Sequence, residues 1–167
     1  ADIDVICDKP LATNVAEARD LVQVSRQTGR FVGVTYTYCG YAMVREARAL
    51  VAAGTLGAVR VIHSEFSSGW MSSAIEMEDH KQAAWRADPA ISGPTLVVGD
   101  LGSHAFHLGE YVSGCRAAAL SADLHTFVEG RELEDNAQIA LRYEDGARGA
   151  LWTSVVAAGE NVGLRLR

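Results

Sequence analysis

The chain has 167 residues, enough for one ordinary domain or for parts of two, and long enough to bury a core. Apolar residues make up 49% and charged residues 22%, the balance of a folded globular protein, and no apolar run reaches the roughly 20 residues of a membrane span. A net charge of -6 and a pI near 5.3, with Lys9 and Lys81 the only lysines, argue against nucleic acid as a partner, since phosphate binding needs a surplus of Lys and Arg on one face.

The opening residues read as the inside of a strand with no lead-in and without the basic start and longer apolar stretch of a signal peptide. GLRLR closes the sequence inside an alternating, strand-like run, so both ends suggest part of a larger protein. IDVIC is short, apolar and β-branched, which suits a buried parallel strand ending at DKP. Asn14 can cap a helix over about 15–28, with Glu17 three positions on, Val15, Ala18, Val22 and Ser25 on one face, and Gly29 as the left-handed stop. RFVGVTY predicts a second strand, giving a right-handed strand–helix–strand unit.

A helix over about 41–53 carries Val44, Ala47 and Val51 on one stripe and stops at Gly54, and Gly57 closes the connection to a strand in AVRVIHSEFSSGW. The polar stretch SSAIEMEDHKQAAWRADPAISG shows no sustained period and reads as a long, functional loop. QIALRYE and ARGALWTSVVA flank Asp145-Gly146, which predicts an antiparallel hairpin with positive φ at both turn residues. The second of these strands is apolar at both parities, so one face can meet helices and the other a second subunit, which predicts a homo-oligomer. Cys7, Cys39 and Cys115 are odd in number and form no CxxC pair, which fits a reducing cytoplasm better than a disulfide frame.

GDLGSHAFHL concentrates the chemistry. At about 100° per residue, Asp100, His104, His107 and Tyr111 share one helical face within about 60°, while Leu101, Ala105, Leu108 and Val112 form the adjoining apolar face. A solvated polar face is the plain reading. D-x3-H-x2-H could also start a zinc site, as in a metal-dependent hydrolase or isomerase, but no further ligand stands at a suitable spacing, so no metal is expected. Acid–base chemistry asks less: a histidine near neutrality moves the proton, and a carboxylate one turn away orients it and favours its charged form. Lys9, at a strand end before a proline, stands where site residues of parallel α/β sheets gather.

CDKP at 7–10, EARALVAAGTLGAVR at 46–60, WRADPAISG at 85–93, GDLGSHAFHL and EDNAQIALRYEDGARGALWTSVVAAG together resemble the Gfo/Idh/MocA family of NAD(P)-dependent oxidoreductases, in the family's order. The resemblance implies an α/β protein: the tail of a Rossmann domain at 1–40, then an α+β substrate domain at 41–167, truncated at its C-terminus, with an open, mainly antiparallel sheet. It implies hydride transfer between a secondary alcohol of a sugar, anhydrosugar or cyclitol and NAD or NADP. His104 is then the general base, Lys9 binds the reacting oxygen and Asp100 orients substrate and histidine. Lys9 and Pro10 become cofactor contacts, and His107, Trp70, Trp85 and Arg86 candidate substrate contacts.

Two departures stand out: Asp8 replaces the usual glutamate, and Cys39 stands near where many members carry an arginine. No G-x-G-x-x-G occurs, so residues 1–167 alone are expected neither to bind NAD(P) tightly nor to turn over; micromolar NAD affinity by calorimetry would contradict this. The competing expectation is a sugar-binding or regulatory protein that kept the fold without turnover.

Overall fold

The computed structural model describes residues 3–158 and 163–167. The outer ends of two sequence segments, the start of the N-terminal strand run and Gly159, lie outside the described residues.

The first unit is two parallel strands, β1 (Val5–Asp8) and β2 (Val32–Thr35), joined through helix α1 (Val15–Thr28). Its boundaries follow from side-chain caps. Asn14 Oδ1 accepts from the Glu17 N–H at 3.0 Å, and the Glu17 carboxylate accepts from the Thr13 N–H and hydroxyl at 3.2 and 2.9 Å. Gly29 ends the helix at φ 67°, a conformation that costs other residues a Cβ clash. No residue of α1 is buried, and Val15 and Val22 stand exposed, so the predicted apolar stripe is uncovered in the described chain.

The larger unit is a five-stranded mixed sheet in the order β4-β5-β6-β3-β7. Its strands are β3 (Val61–Ser67), β4 (Ala117–His125), β5 (Asn136–Tyr143), β6 (Arg148–Ser154) and β7 (Gly163–Leu166). β3 runs parallel to β6, and the other neighbours pair antiparallel. Helix α5 (Ser103–Ser113) covers one face, and α2 (Ala42–Ala52) packs against α5. Ile62, Phe66, Leu141, Tyr143 and Leu151 of the sheet pack with Ala105 of α5 in the core. The alternation that buries Ile62, Ser64 and Phe66 sends His63 and Glu65 to the other side, beside Gln138, Ala150 and Trp152, where no element among the described residues covers them.

The expected β5–β6 hairpin forms, but with a different turn. Gly146 N–H donates to Tyr143 C=O at 3.1 Å and Tyr143 N–H to Ala147 C=O at 3.1 Å, closing a three-residue loop in which Gly146 alone takes positive φ, 92°. One left-handed glycine after an ordinary turn supplies the strand twist that two left-handed residues would. The stretch read as a loop also carries short helices, α3 (Lys81–Ala87) and α4 (Pro89–Ser92). Each is capped locally, by His80 Nδ1 on the Ala83 N–H and by Asp88 on the Ala90 N–H, and both are too short to display a helical period. Arg131, fully buried, fixes the preceding loop by pairing with Glu76 at 2.8 Å and Asp135 at 3.1 Å and donating to the carbonyls of Met71 and Ser73. Among the described residues no helix is long and apolar enough to cross a membrane.

Candidate active site

The site begins where β1 ends. Asp8 accepts from the Thr35 hydroxyl at 2.7 Å and from the Lys9 N–H at 2.9 Å, locking the ends of β1 and β2 together. Those two bonds hold the Asp8 carboxyl below the usual carboxylate range, the Thr35 bond most strongly. Lys9 follows, and its ammonium donates to the Asp100 carboxylate at 2.6 Å and to the Asp100 main-chain oxygen at 2.7 Å. On the other carboxylate oxygen, Arg86 Nε donates at 2.8 Å. Burial pushes the Asp100 carboxyl up, but the two cations outweigh it and keep the group ionised.

Asp100 does not lie on a regular α-helix. Residues Val98–Gly102 form one π turn, in which the Ser103 N–H reaches back to the Val98 carbonyl, and the α-helix proper starts at Ser103. Such a turn inserts an extra residue and re-aims the side chains before it. Glu134, from the strap leading into β5, secures its approach. Its carboxylate accepts from the N–H of Leu96 at 3.1 Å and of Val98 at 3.0 Å and from the Thr95 hydroxyl. Gly102 is buried against β6, where an added Cβ would meet Thr153 Cγ2 at 3.3 Å.

His104, in the first turn of α5, is 9% exposed and ringed by aromatic side chains. Tyr36 and Tyr38 meet it edge-on at 5.8 and 4.8 Å between centroids, and Phe66 lies at 6.1 Å. Its Nδ1 is buried without a partner. Burial first, and the Lys9 charge second, push its pKa down to about 4, although Asp100 and Asp8 pull the other way. The carboxylate thus acts in the expected direction and is outweighed, so the imidazole is neutral at pH 7. No hydrogen bond joins Asp100 to His104 among the described residues; the carboxylate is spent on Lys9 and Arg86.

His107 stacks flat on Tyr36, 4.0 Å between centroids and 8° between planes, with Nδ1 3.1 Å from Cys39 Sγ. Arg86 lies over Trp85 at 4.1 Å and near Trp70 at 5.7 Å, so both tryptophans brace the guanidinium that holds Asp100. A cavity of about 180 Å³ opens beside this cluster, lined among others by Lys9, Pro10, Trp85, Arg86, Thr95 and Asp100. Lys9, Asp100, Arg86 and Trp85 therefore converge on one cavity, whereas His104 and His107 sit on the next turns of α5 against the Tyr36–Cys39 segment. Sequence reasoning missed Tyr36, Tyr38 and Glu134. The alternating tyrosines straight after β2 carried a signal, since strand ends of parallel sheets face the site. Among the described residues no three His, Cys, Asp or Glu side chains gather as metal ligands.

A parallel strand–helix–strand unit, feeding a lysine toward a carboxylate in a π turn and a histidine at the start of the following helix, beside an open-faced mixed sheet, defines an α/β architecture. Residues 44–167 match the model of the GFO/IDH/MocA C-terminal domain, and residues 1–36 that of the oxidoreductase family NAD-binding Rossmann fold. The chain belongs to the Gfo/Idh/MocA family of oxidoreductases.

It is 36% identical over 169 residues to the uncharacterised oxidoreductase YfiI of Bacillus subtilis (strain 168), covering 100% of this chain and 43% of that protein. Identity to the trans-1,2-dihydrobenzene-1,2-diol dehydrogenase of Oryctolagus cuniculus is 29% over 153 residues, covering 90% of this chain and 42% of the relative. The crystal structure of an inositol dehydrogenase homolog from Azotobacter vinelandii complexed with NAD+ superposes with TM-score 0.94 at 38% identity, covering 99% of this chain and 43% of that one. The chain thus spans under half the length of these relatives.

Proposed function

We propose that the full-length protein is an NAD(P)-dependent dehydrogenase oxidising a secondary alcohol of a sugar, anhydrosugar or cyclitol, with His104 as general base. One observation carries the reading: a neutral imidazole, a lysine ammonium and an ionised aspartate are held together where β1 ends against the start of α5. A base must be deprotonated at working pH, and His104, with its pKa at about 4, is. Lys9 holds positive charge where an alcohol oxygen gains negative charge as its proton leaves. Asp100 anchors Lys9 and Arg86 rather than the imidazole, so its part is to aim the lysine. The cavity lined by Lys9 and Pro10 suits the nicotinamide end of a dinucleotide, with those two residues as its contacts, and the His104 Nδ1 on the neighbouring helix is buried without a hydrogen-bond partner. When bound, NAD(P)+ supplies the hydride acceptor. Trp85 and Arg86 flank the same cavity, and His107 lies one turn beyond His104, as polyol contacts would.

The same reading divides the chain near residue 40, places the protein in the cytoplasm and sets a second copy against the open face of the sheet. The solved A. vinelandii structure with NADH and myo-inositol, 37% identical with TM-score 0.88, supports the polyol class. The test is a panel of polyols and sugars with both cofactors, using full-length wild type, Lys9→Met and His104→Gln. Turnover of at least one polyol, with each variant lowered about 100-fold or more, is expected. Polyol binding without reduction of either cofactor would favour the non-catalytic sugar-binding reading instead.

A further inference from the structure

We propose that Cys39 is a positioning residue of the substrate site, whose thiol fixes His107 as a hydrogen-bond donor at Nε2 toward a neutral polyol hydroxyl. The inference rests on the polyol reading above. Its geometric basis is the cradle formed where β2 ends. Tyr36 closes the strand and the next turn of chain brings Cys39 back, with the Cys39 N–H donating to the Tyr36 carbonyl at 3.0 Å. The Tyr36 ring then lies flat under His107 and edge-on to His104, so one side chain sets the relative position of both histidines. Tyr111, itself covered by Arg48, meets His107 at 5.9 Å between centroids and 20° between planes, and Cys39 Sγ lies 3.1 Å from Nδ1.

What passes between sulfur and nitrogen follows from the chemistry of the two groups. Sulfur is a weak acceptor, whereas the imidazole lone pair is a good one, so the S–H donates to Nδ1. A thiolate–imidazolium pair is disfavoured on both sides: burial raises the Cys39 pKa against the opposing pull of Arg48, and burial lowers that of His107 against the pull of Glu110. With Nδ1 accepting, the ring proton resides on Nε2, and His107 can offer a donor but not an acceptor. A hydroxyl oxygen, which has free lone pairs, is matched; an ammonium or other cationic group is not.

The test uses the full-length protein in three variants, Cys39→Ala, Cys39→Ser and Cys39→Asp, with long-range 15N–1H NMR of His107 beside steady-state kinetics. Wild type and Cys39→Ser, which keeps a donor, are expected to show the Nε2–H tautomer. Cys39→Ala should lose that single-tautomer signature and raise KM for the polyol about fivefold with kcat little changed, the size expected for one neutral hydrogen bond. Cys39→Asp should protonate His107 to higher pH. A pure Nε2–H tautomer and unchanged KM in Cys39→Ala would overturn the proposal while leaving the dehydrogenase reading intact. Failure of every variant and wild type to reduce cofactor would sink that reading, yet the NMR result would still decide the role of the thiol.

Discussion

His104 shows how one residue gathers opposing effects. The aromatic ring of Tyr36, Tyr38 and Phe66 removes water from the imidazole, and Lys9 adds a like charge should it protonate; the nearby carboxylates, already paired or distant, do not compensate. Replacing Lys9 by Met removes the second-largest cause, so the His104 pKa followed by NMR should rise from about 4 while staying below 6.5, because burial persists. An unchanged titration would mean that the ammonium does not reach the ring. The same shift has a stability consequence. The folded-state pKa lies below the unfolded value of 6.5, so between pH 6.5 and about 4 the unfolded chain binds the proton first and the fold loses stability as pH falls; below about 4 this contribution changes no further. Thermal melts across that window should show the decline, and His104→Gln should flatten it.

At the scale of elements, the decisive feature is the join between the 95–98 segment, the π turn and α5. Glu134 accepts from two main-chain N–H groups and a hydroxyl there, so Glu134→Ala leaves buried donors unmet and should destabilise the protein by about 2 kcal/mol in urea unfolding, with lower turnover because Asp100 and Lys9 lose register. A variant as stable and active as wild type would show that the turn holds itself. Asn14→Ala, by contrast, removes one exposed cap and should cost about 1 kcal/mol without affecting catalysis, as thermal unfolding and initial rates together would show.

The caps were legible in the sequence: α1 starts and stops at Asn14 and Gly29. The π turn was not, because no residue type specifies it and its anchor, Glu134, is some 36 to 38 positions away in sequence. For the same reason, the Asp100 partners could be named from position or resemblance only singly; that both cations share its carboxylate is a tertiary fact.

For the whole molecule, β3 sits between β6 and β7, so a parallel neighbour from the middle of the chain stitches the sheet together. β4 escaped the reading because AAALSADLH has small and polar residues at both parities, and every one of its residues but Ala117 is exposed. That edge and the uncovered face around Trp152 leave the sheet open on one side. Trp152→Glu should therefore shift the protein to a lower oligomeric state in sedimentation velocity while leaving the hairpin folded; identical sedimentation would place any subunit contact elsewhere.

The central claim is that His104 takes the alcohol proton while Lys9 and Asp100 hold the charge around it. It is tested most directly by the pH dependence of polyol oxidation, read as kcat/KM, in full-length wild type and His104→Gln. Wild type is expected to show an acid limb from the base near pH 4 rather than at the ordinary histidine value of 6.5, and His104→Gln a rate at least about 100-fold lower with that limb absent. A His104→Gln enzyme with near-wild-type rates and the same acid limb would contradict it.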